Sequence, residues 1–222
     1  DTDRSRGLGD VYKRQLSSCG MHALGKAMFG ALALESGNVL TGEGEVITTP
    51  HMAIEKKIGY VSKDRDVESL CLSASIKDNI AIAGMEQFAV GGHLITNANE
   101  KKYVRKQIQD LSIKCSDENQ LTGQLSGGNK QKVVFGKWIG CGSEILILDC
   151  PTRGVDIGVK QAMYQLMIQL KKEGRAILLI SEELPELLGM SDRILIMKDG
   201  QISHEFMRSE NLTDADVIGY MI

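Results

Sequence analysis

Two short, continuous apolar segments in the second half of the chain constrain the fold most strongly. Residues 144–149 (EILILD) and 176–181 (AILLIS) are apolar at nearly every position, and between them residues 158–172 have the periodicity of an amphipathic helix. Strands without polar alternation are buried on both faces, which is typical of a parallel sheet covered by helices. The chain is therefore predicted to adopt an α/β fold built on a parallel sheet.

The remaining elements are predicted from periodicity and from turn signals. Helices are expected at 21–34, 53–57, 76–82, 99–113, 126–139 and 184–188, with a last helix after Thr213, and strands at 39–49, 58–61, 193–197 and 202–206. The sequence Lys198-Asp199-Gly200-Gln201 predicts a hairpin turn between the last two strands.

Charge and composition exclude several classes of protein. The 222 residues include 26 basic and 29 acidic side chains, so the basic excess of proteins that bind nucleic-acid backbones is missing. The longest apolar runs are too short to span a bilayer. Five cysteines without a CxxC pair, and four histidines without ligand spacing, predict neither a disulfide framework nor a zinc site.

Residues 1–15 differ in character from the rest of the chain. They are polar, mixed in charge and without periodicity, and they contain no apolar core of a signal peptide. We interpret them as a non-native or disordered leader and exclude them from the predicted fold.

The segment LSGGNKQK at 125–132 carries the sharpest chemical signal. Gly127 and Gly128 directly follow Ser126, a residue that favours the start of a helix, so bare backbone N–H groups would face outward beside Asn129 and Gln131. Such a turn binds anions with the help of the helix dipole. By itself it is equally typical of a plain capped helix with a glycine-rich start.

A second segment favours the anion-binding interpretation. Asp149 ends the predicted strand 144–149 and begins the sequence DCPTRGVD, which runs to Asp156. The carboxyl ends of parallel strands are where α/β sheets hold ligands, and an aspartate at this position in phosphate-binding ATPases holds Mg²⁺. Together the two segments resemble the signature motif, Walker B strand and D-loop of an ATP-binding cassette (ABC) ATPase.

The resemblance extends, with gaps, from about residue 16 to the C-terminus. The segments LSGGNKQKVVFGKWI, ILDCPTRGVDIG and ISEELPELLGMSDRILIMKDG are similar to the second cassette of the two-cassette ATPases of bacterial simple-sugar importers. The resemblance implies a P-loop NTPase (RecA-like) cassette at 16–222 with a helical subdomain at about 70–140. It also implies ATP and Mg²⁺ as cofactors, and a peripheral position on the cytoplasmic face of the membrane. The implied partners are a first cassette, permease subunits that dock on residues 62–110, and an extracytoplasmic sugar-binding protein.

The region that matches the family's Walker A loop is degenerate. Alignment on Phe29-Gly30 places Gly20 in the loop, Met21 at the position of the lysine and His22 at that of the serine or threonine. The lysine of a working loop contacts the β- and γ-phosphates, and the hydroxyl contacts Mg²⁺. The strand expected before the loop is replaced by the leader, so we expect the first strand and the loop to be incomplete.

Three further positions depart from the family pattern. Cys150 stands where the family has the glutamate that polarises the attacking water, and Glu182 stands where it has the switch histidine. Lys63 lies near the position of the Q-loop glutamine. A thiol is a poor substitute for a catalytic carboxylate, and a carboxylate at 182 would repel a γ-phosphate.

The groups that remain intact are those that act on a partner's nucleotide. The resemblance implies that Ser126, Gly127 and Gly128 bind the γ-phosphate of ATP held by the first cassette, and that Asp156 helps to order the two sites. The chain alone is then expected to be inactive. The first alternative is a non-enzymatic docking or regulatory remnant that binds no nucleotide, and the second is an ABC protein without a transport role.

Overall fold

The computed structural model describes residues 19–91, 94–209 and 212–220, so the predicted leader and residues 16–18 of the Walker A region lie outside the described residues. The helices are α1 (Met21–Met28), α2 (Pro50–Glu55), α3 (Ile76–Ala81), α4 (Asn97–Asp110), α5 (Gly127–Gly140), α6 (Ile157–Lys172), α7 (Leu184–Met190) and α8 (Asp214–Ile218). The strands are β1 (Val39–Leu40), β2 (Val46–Ile47), β3 (Ile58–Val61), β4 (Ile145–Asp149), β5 (Ala176–Ile180), β6 (Arg193–Lys198) and β7 (Gln201–Met207).

A three-stranded parallel sheet in the order β3-β4-β5 forms the centre of the molecule. Ile147 of β4 lies between Tyr60 of β3 and Leu178 of β5. Four of the five residues of β4 are buried, which explains why its sequence shows no polar alternation. The predicted α/β fold with a parallel sheet is confirmed.

The core of this sheet is closed by aromatic side chains from three elements. Phe29 follows α1 and stacks on Tyr60 of β3 with ring centroids 5.5 Å apart, and Trp138 of α5 meets Phe29 edge-on at 5.4 Å. Such offset and edge-on contacts add to the stabilisation from burial. Through Phe29, these contacts join the end of α1 to both β3 and α5.

Helices α3, α4 and α5 pack on one another within the predicted helical subdomain. Ser75 begins α3 with a capping box, in which its hydroxyl accepts from the Asp78 backbone while the Asp78 carboxylate accepts from the Ser75 backbone. The buried side chains of Ile76, Ile80 and Val104 fill the space between these helices.

The strands β6 and β7 form a separate antiparallel hairpin. Among the described residues, β5 pairs with β4 alone, and an apolar cavity of about 590 Å³ lies between its other edge and β6. Met21, Ile177 and Ile196 are among the residues that line this cavity.

Two predicted elements are shorter in the structure than in the sequence analysis. The helix predicted at 21–34 ends at Met28, because Gly30 has a φ of 73° and lies against the backbone of Thr49, where a side chain would collide. The strand predicted at 39–49 is divided into β1 and β2, which pair antiparallel around the turn at 41–45. None of the helices that the structure describes is long and apolar enough to cross a membrane.

Candidate functional site

The carboxyl ends of the three parallel strands bring together residues that are far apart in the sequence. Lys63 follows β3, Cys150 follows β4 and Glu182 follows β5, and α1 places His22 above them. Polar groups collect here because parallel strands end at the same edge of the sheet. We call this group, with Asp149 and Tyr60, the strand-end cluster.

Asp149 is the buried centre of the strand-end cluster. Its side chain has no solvent exposure, and its Oδ1 lies 2.7 Å from Nδ1 of His22. The Tyr60 hydroxyl donates to the other carboxylate oxygen, Oδ2, at 3.1 Å. Burial and the neighbouring Asp149 charge raise the pKa of Tyr60, so this hydroxyl remains a donor at neutral pH. Both carboxylate oxygens are therefore engaged within the protein.

Glu182 is neutralised by the side chains that surround it. It forms an ion pair with Lys63, and its Oε1 also lies 3.3 Å from Nε2 of His22. Burial favours a higher pKa for Glu182, but the hydrogen bond and charge of Lys63, with a contribution from His22, outweigh burial and lower it. Lys63 therefore compensates the charge of Glu182 in this structure, and the repulsion of a γ-phosphate by Glu182 stays a prediction.

Cys150 cannot replace a catalytic carboxylate. It is buried, its backbone has a φ of 47°, and its N–H donates to the Ile180 carbonyl at 2.8 Å. Burial, together with the charges of Asp149 and Glu182, raises the pKa of the Cys150 thiol to about 12. The thiol is neutral at physiological pH, so it does not accept a proton from water.

Among the described residues, the first turn of α1 presents no lysine or arginine to a phosphate. Gly20, with a φ of 93°, precedes the helix, and Met21 lines the apolar cavity beside β5. The lysine of α1, Lys26, lies in its last turn and pairs with Glu68 at 2.6 Å. Lys63 is the cation of the strand-end cluster, and it is already paired with Glu182.

The resemblance implies MgATP as a ligand, but the residues of the strand-end cluster do not fit it. Mg²⁺ prefers carboxylate, phosphate and water oxygens, whereas Asp149 here faces an imidazole on Oδ1 and a phenol on Oδ2, with a thiol as its chain neighbour. The triphosphate would also meet Glu182 and lack the lysine that Met21 replaces. We therefore assign this cluster no step in nucleotide chemistry.

A second group of predicted residues lies at the start of α5. Ser126 is exposed at the N-cap position, but its hydroxyl does not cap the helix and instead accepts from the Asn129 side-chain amide at 2.9 Å. The Asn129 carbonyl oxygen accepts from the backbone of Lys114 at 2.8 Å. Since the first turn receives no bond from a side-chain cap, its N–H groups are available to an anion.

The two glycines of this turn are required by close packing. A Cβ atom on Gly128 would lie 2.6 Å from Cγ2 of Val159 in α6. A Cβ on Gly127 would lie 3.0 Å from the Arg65 guanidinium and 3.3 Å from the carbonyl oxygen of Gly154. The glycines thus allow the signature turn to lie directly against α6 and the loop before it.

Arg65 connects the signature helix to the loop after β4. Its guanidinium donates to the carbonyl oxygens of Arg153 at 2.9 Å and Gly154 at 3.4 Å, and to the side-chain oxygen of Gln131 at 3.4 Å. Asp156 ends this loop, and its carboxylate caps α6 by accepting from Val159 N at 2.9 Å. Arg65 therefore links α5, through Gln131, to the loop at 153–154.

Comparison with known proteins identifies the family. Residues 17–153, more than half of the chain, match the protein family described as "ABC transporter". The chain belongs to the ABC transporter family. The ABC ATPase resemblance of the sequence is thereby confirmed.

Curated proteins similar to this ABC cassette are more than twice its length. The ribose import ATP-binding proteins RbsA of Lactococcus lactis subsp. lactis (strain IL1403) and Bacillus subtilis (strain 168) are each 42% identical over 196 residues. The alignments cover 88% of this chain and 40% of each relative.

Solved structures show the same fold. The dimeric post-hydrolysis state of the ATP-binding cassette MJ0796, bound to ADP and Pi, matches with a TM-score of 0.73 at 16% identity, and covers 86% of this chain and 82% of its own. The ADP conformation of the cassette MJ1267 matches with a TM-score of 0.69 at 21% identity. The match covers 91% of this chain and 83% of the MJ1267 chain. The predicted P-loop NTPase fold is confirmed.

Several contacts of the site were not predicted. The sequence indicates Lys63 and Glu182 separately but not their ion pair. It marks Arg65 only as part of the segment 62–110 that would dock on the permease, and not as a link to the loop after β4. The parallel order β3-β4-β5 contains the missing signal, because the residues after β3 and β5 must both flank the end of β4. The spacing of the histidines along the sequence does not reveal that His22 lies beside Asp149 and Cys150.

Proposed function

We propose that this chain is the second ATP-binding cassette of an importer for ribose or a related simple sugar. In this proposal it supplies its LSGGN turn to ATP held by a first cassette. The relatives named as ribose import ATP-binding proteins support the transport role. The chain spans two-fifths of their length, so the activity of a whole importer ATPase is itself part of the proposal.

One contrast within the structure carries the proposal. The turn at 126–128, which we call the signature turn, reaches the surface at Ser126, and its helix is linked through Gln131 and Arg65 to the loop at 153–154. The polar groups of the strand-end cluster, in contrast, are paired with one another. The chain is thus equipped to contact a phosphate from outside but not to hold one of its own. A complementary cassette with an intact Walker A loop would supply the missing half.

The chemical role of the turn is electrostatic. The N–H groups at the start of α5 and the positive end of the helix dipole would face the terminal phosphate of the partner's ATP. The Ser126 hydroxyl adds a donor, since the Asn129 amide already satisfies one of its acceptor positions. Proton transfer from water and the binding of the nucleotide's Mg²⁺ belong to the partner's residues.

The proposed assembly contains the first cassette, two permease subunits and an extracytoplasmic sugar-binding protein. The cassette pair would lie on the cytoplasmic face of the membrane and attach through the permease. Residues 62–66, between β3 and the turn before α3, are the proposed coupling loop. Asp66 of this loop pairs with Lys130 of α5 at 3.0 Å, so the loop contacts the signature helix directly.

The test combines the full chain with the isolated first cassette of the Bacillus subtilis relative and measures ATP hydrolysis. We expect the mixture to exceed the summed rates of the separate proteins. The variant Ser126→Arg should abolish that increase, because a long side chain would fill the phosphate position. Ser36→Arg, at an exposed loop serine, is the matched control and should retain it.

The same experiment separates the transport role from the docking alternative. If the mixture shows no increase and MgATP does not promote association of the two proteins, the chain is a remnant without a nucleotide role. If the increase survives Ser126→Arg, the trans role of the signature turn is wrong.

A further inference from the structure

The strand-end cluster has the donor atoms of a different metal site from the one the family uses. His22, Asp149 and Cys150 each offer one ligand atom, and these atoms all lie within 4.8 Å of one another. Imidazole, carboxylate and thiolate form a typical ligand set for Zn²⁺, with bonds of about 2.0–2.3 Å. The thiol and imidazole are softer donors than Mg²⁺ accepts readily.

We propose that His22, Asp149 and Cys150 bind one Zn²⁺ ion, or a divalent transition-metal ion of similar preference. The ion would lie between Nδ1 of His22, Oδ1 of Asp149 and Sγ of Cys150. It replaces the hydrogen bond that joins the first two atoms at 2.7 Å. The inference is independent of the trans role of the signature turn.

The surrounding residues already provide the outer contacts that such a site needs. A histidine that binds zinc usually donates its second ring N–H to a carboxylate or carbonyl oxygen. When Nδ1 of His22 binds the ion, Nε2 carries the proton and would donate to Glu182 Oε1, which lies 3.3 Å away. The Lys63 ammonium, which lies 3.0 Å from Nε2 in this structure, would then donate to Glu182 alone. Lys63 pairs with Glu182 and holds this carboxylate beside the imidazole.

Tyr60 has the corresponding role for the carboxylate ligand. Its hydroxyl donates to Oδ2 of Asp149 at 3.1 Å, which leaves Oδ1 directed toward His22. Asp149 has no solvent exposure and the His22 side chain is 19% exposed, so the ion would be held mainly by protein atoms. Three protein ligands leave the fourth tetrahedral position to water or to another small ligand.

Binding requires a balanced exchange of protons. The Cys150 thiol releases one proton to solvent as the S–Zn bond forms. The neutral imidazole of His22 moves its proton from Nδ1 to Nε2 through solvent, so it releases none, and the net release is one proton per ion bound. No oxidant or reductant takes part, because Zn²⁺ keeps its charge.

The experiment titrates the reduced, chelator-treated full chain with Zn²⁺ alone in competition with a chromophoric chelator, and with Co²⁺ as a spectroscopic probe. We expect one ion per chain and a thiolate-to-cobalt charge-transfer band. Cys150→Ser should remove the band, and Cys150→Ser and His22→Ala should each weaken Zn²⁺ binding about tenfold or more. Cys115→Ser and His51→Ala are the matched controls and should bind as the unmodified chain does.

X-ray absorption of the zinc-loaded, unmodified chain gives a readout that does not depend on the folding of any variant. It should show one sulfur neighbour and two or three nitrogen or oxygen neighbours. The proposal is overturned by an absence of saturable binding, by a sulfur-free shell, by a band that survives Cys150→Ser, or by displacement of Zn²⁺ with millimolar Mg²⁺.

Discussion

At the scale of single residues, burial disfavours the charged form of the Lys137 side chain. Its ammonium group donates to the Ser69 carbonyl at 2.7 Å and lies 5.0 Å from the centre of the Trp138 ring. Burial lowers the pKa of Lys137 to about 8, against a slight opposing effect of Cys141. The unfolded chain keeps this proton up to a pH of about 10.4.

The folded state therefore releases the Lys137 proton first, and stability should rise as pH increases from about 8 toward 10. Relative to Lys137→Met, the unmodified chain should gain about 2 kcal/mol of unfolding free energy between pH 7 and pH 10. Denaturant unfolding at several pH values measures this difference. The exposed Lys102→Met is the control and should show no such trend; a flat difference for Lys137→Met would contradict the buried charge.

Asp156 tests whether a residue in the D-loop position has a structural task of its own. Its carboxylate caps α6 by accepting from Val159 N at 2.9 Å. Asp156→Ala should lower the unfolding free energy by about 1 kcal/mol, whereas Asp156→Ser keeps an acceptor and should stay close to the unmodified chain. Equal losses in thermal unfolding for both variants would show that the cap contributes little.

At this scale the sequence predicts which residues belong to the site better than it predicts which side chains contact each other. Asp149 and His22 follow from motif positions, and the structure brings them within 2.7 Å. The pairing of Lys63 with Glu182 depends on which strands are neighbours, and that order is a property of the folded chain. The links of Arg65 to the loop at 153–154 likewise need tertiary geometry.

At the scale of elements, the contact between α5 and α6 depends on a single missing methyl group. The Cβ of an alanine at 128 would lie 2.6 Å from Cγ2 of Val159. Gly128→Ala should therefore destabilise the chain by about 1–3 kcal/mol. Adding Val159→Ala should recover part of this loss, since the second change removes the colliding methyl group.

Gly189→Ala is the matched control for that substitution. Gly189 lies in α7, and a Cβ atom added there would meet nothing within 4 Å. Alanine at this position should leave stability unchanged or raise it by up to about 1 kcal/mol. A double-mutant cycle by chemical denaturation measures the coupling between 128 and 159. Strict additivity there would show that the two residues do not collide.

The elements themselves were predicted well where periodicity is strong and poorly where long-range contacts decide. β4, β5 and α6 agree with their predicted bounds to within one residue, because the apolar pattern of each is unambiguous. The end of α1 is set by the approach of Gly30 to the backbone of Thr49, which no local pattern reveals. The pairing of β1 with β2 is decided by a turn that the sequence marks only with glycines.

At the scale of the whole molecule, the turn at 126–128 and the strand-end cluster differ in how their polar groups are engaged. The turn at 126–128 has two closely packed glycines and receives no bond from a side-chain cap, whereas the polar groups of the strand-end cluster are paired with one another. In the proposed assembly, this asymmetry would let the chain act on a partner's nucleotide without holding one of its own.

The asymmetry predicts the response of the isolated chain to nucleotide. A ligand that binds only the folded state raises the unfolding free energy by RT ln(1 + [L]/Kd), so 1 mM MgATP adds less than about 0.4 kcal/mol when Kd exceeds 1 mM. We expect this small effect, because Met21 offers no charge and Lys63 is paired with Glu182. Chemical unfolding of the chelator-treated chain, with and without MgATP, measures this effect, and the ribose import ATP-binding protein of Bacillus subtilis is the positive control. A gain of about 2 kcal/mol or more for the chain alone would show that the strand-end cluster opens to hold a nucleotide, and the division of roles between the turn and this cluster would then be wrong.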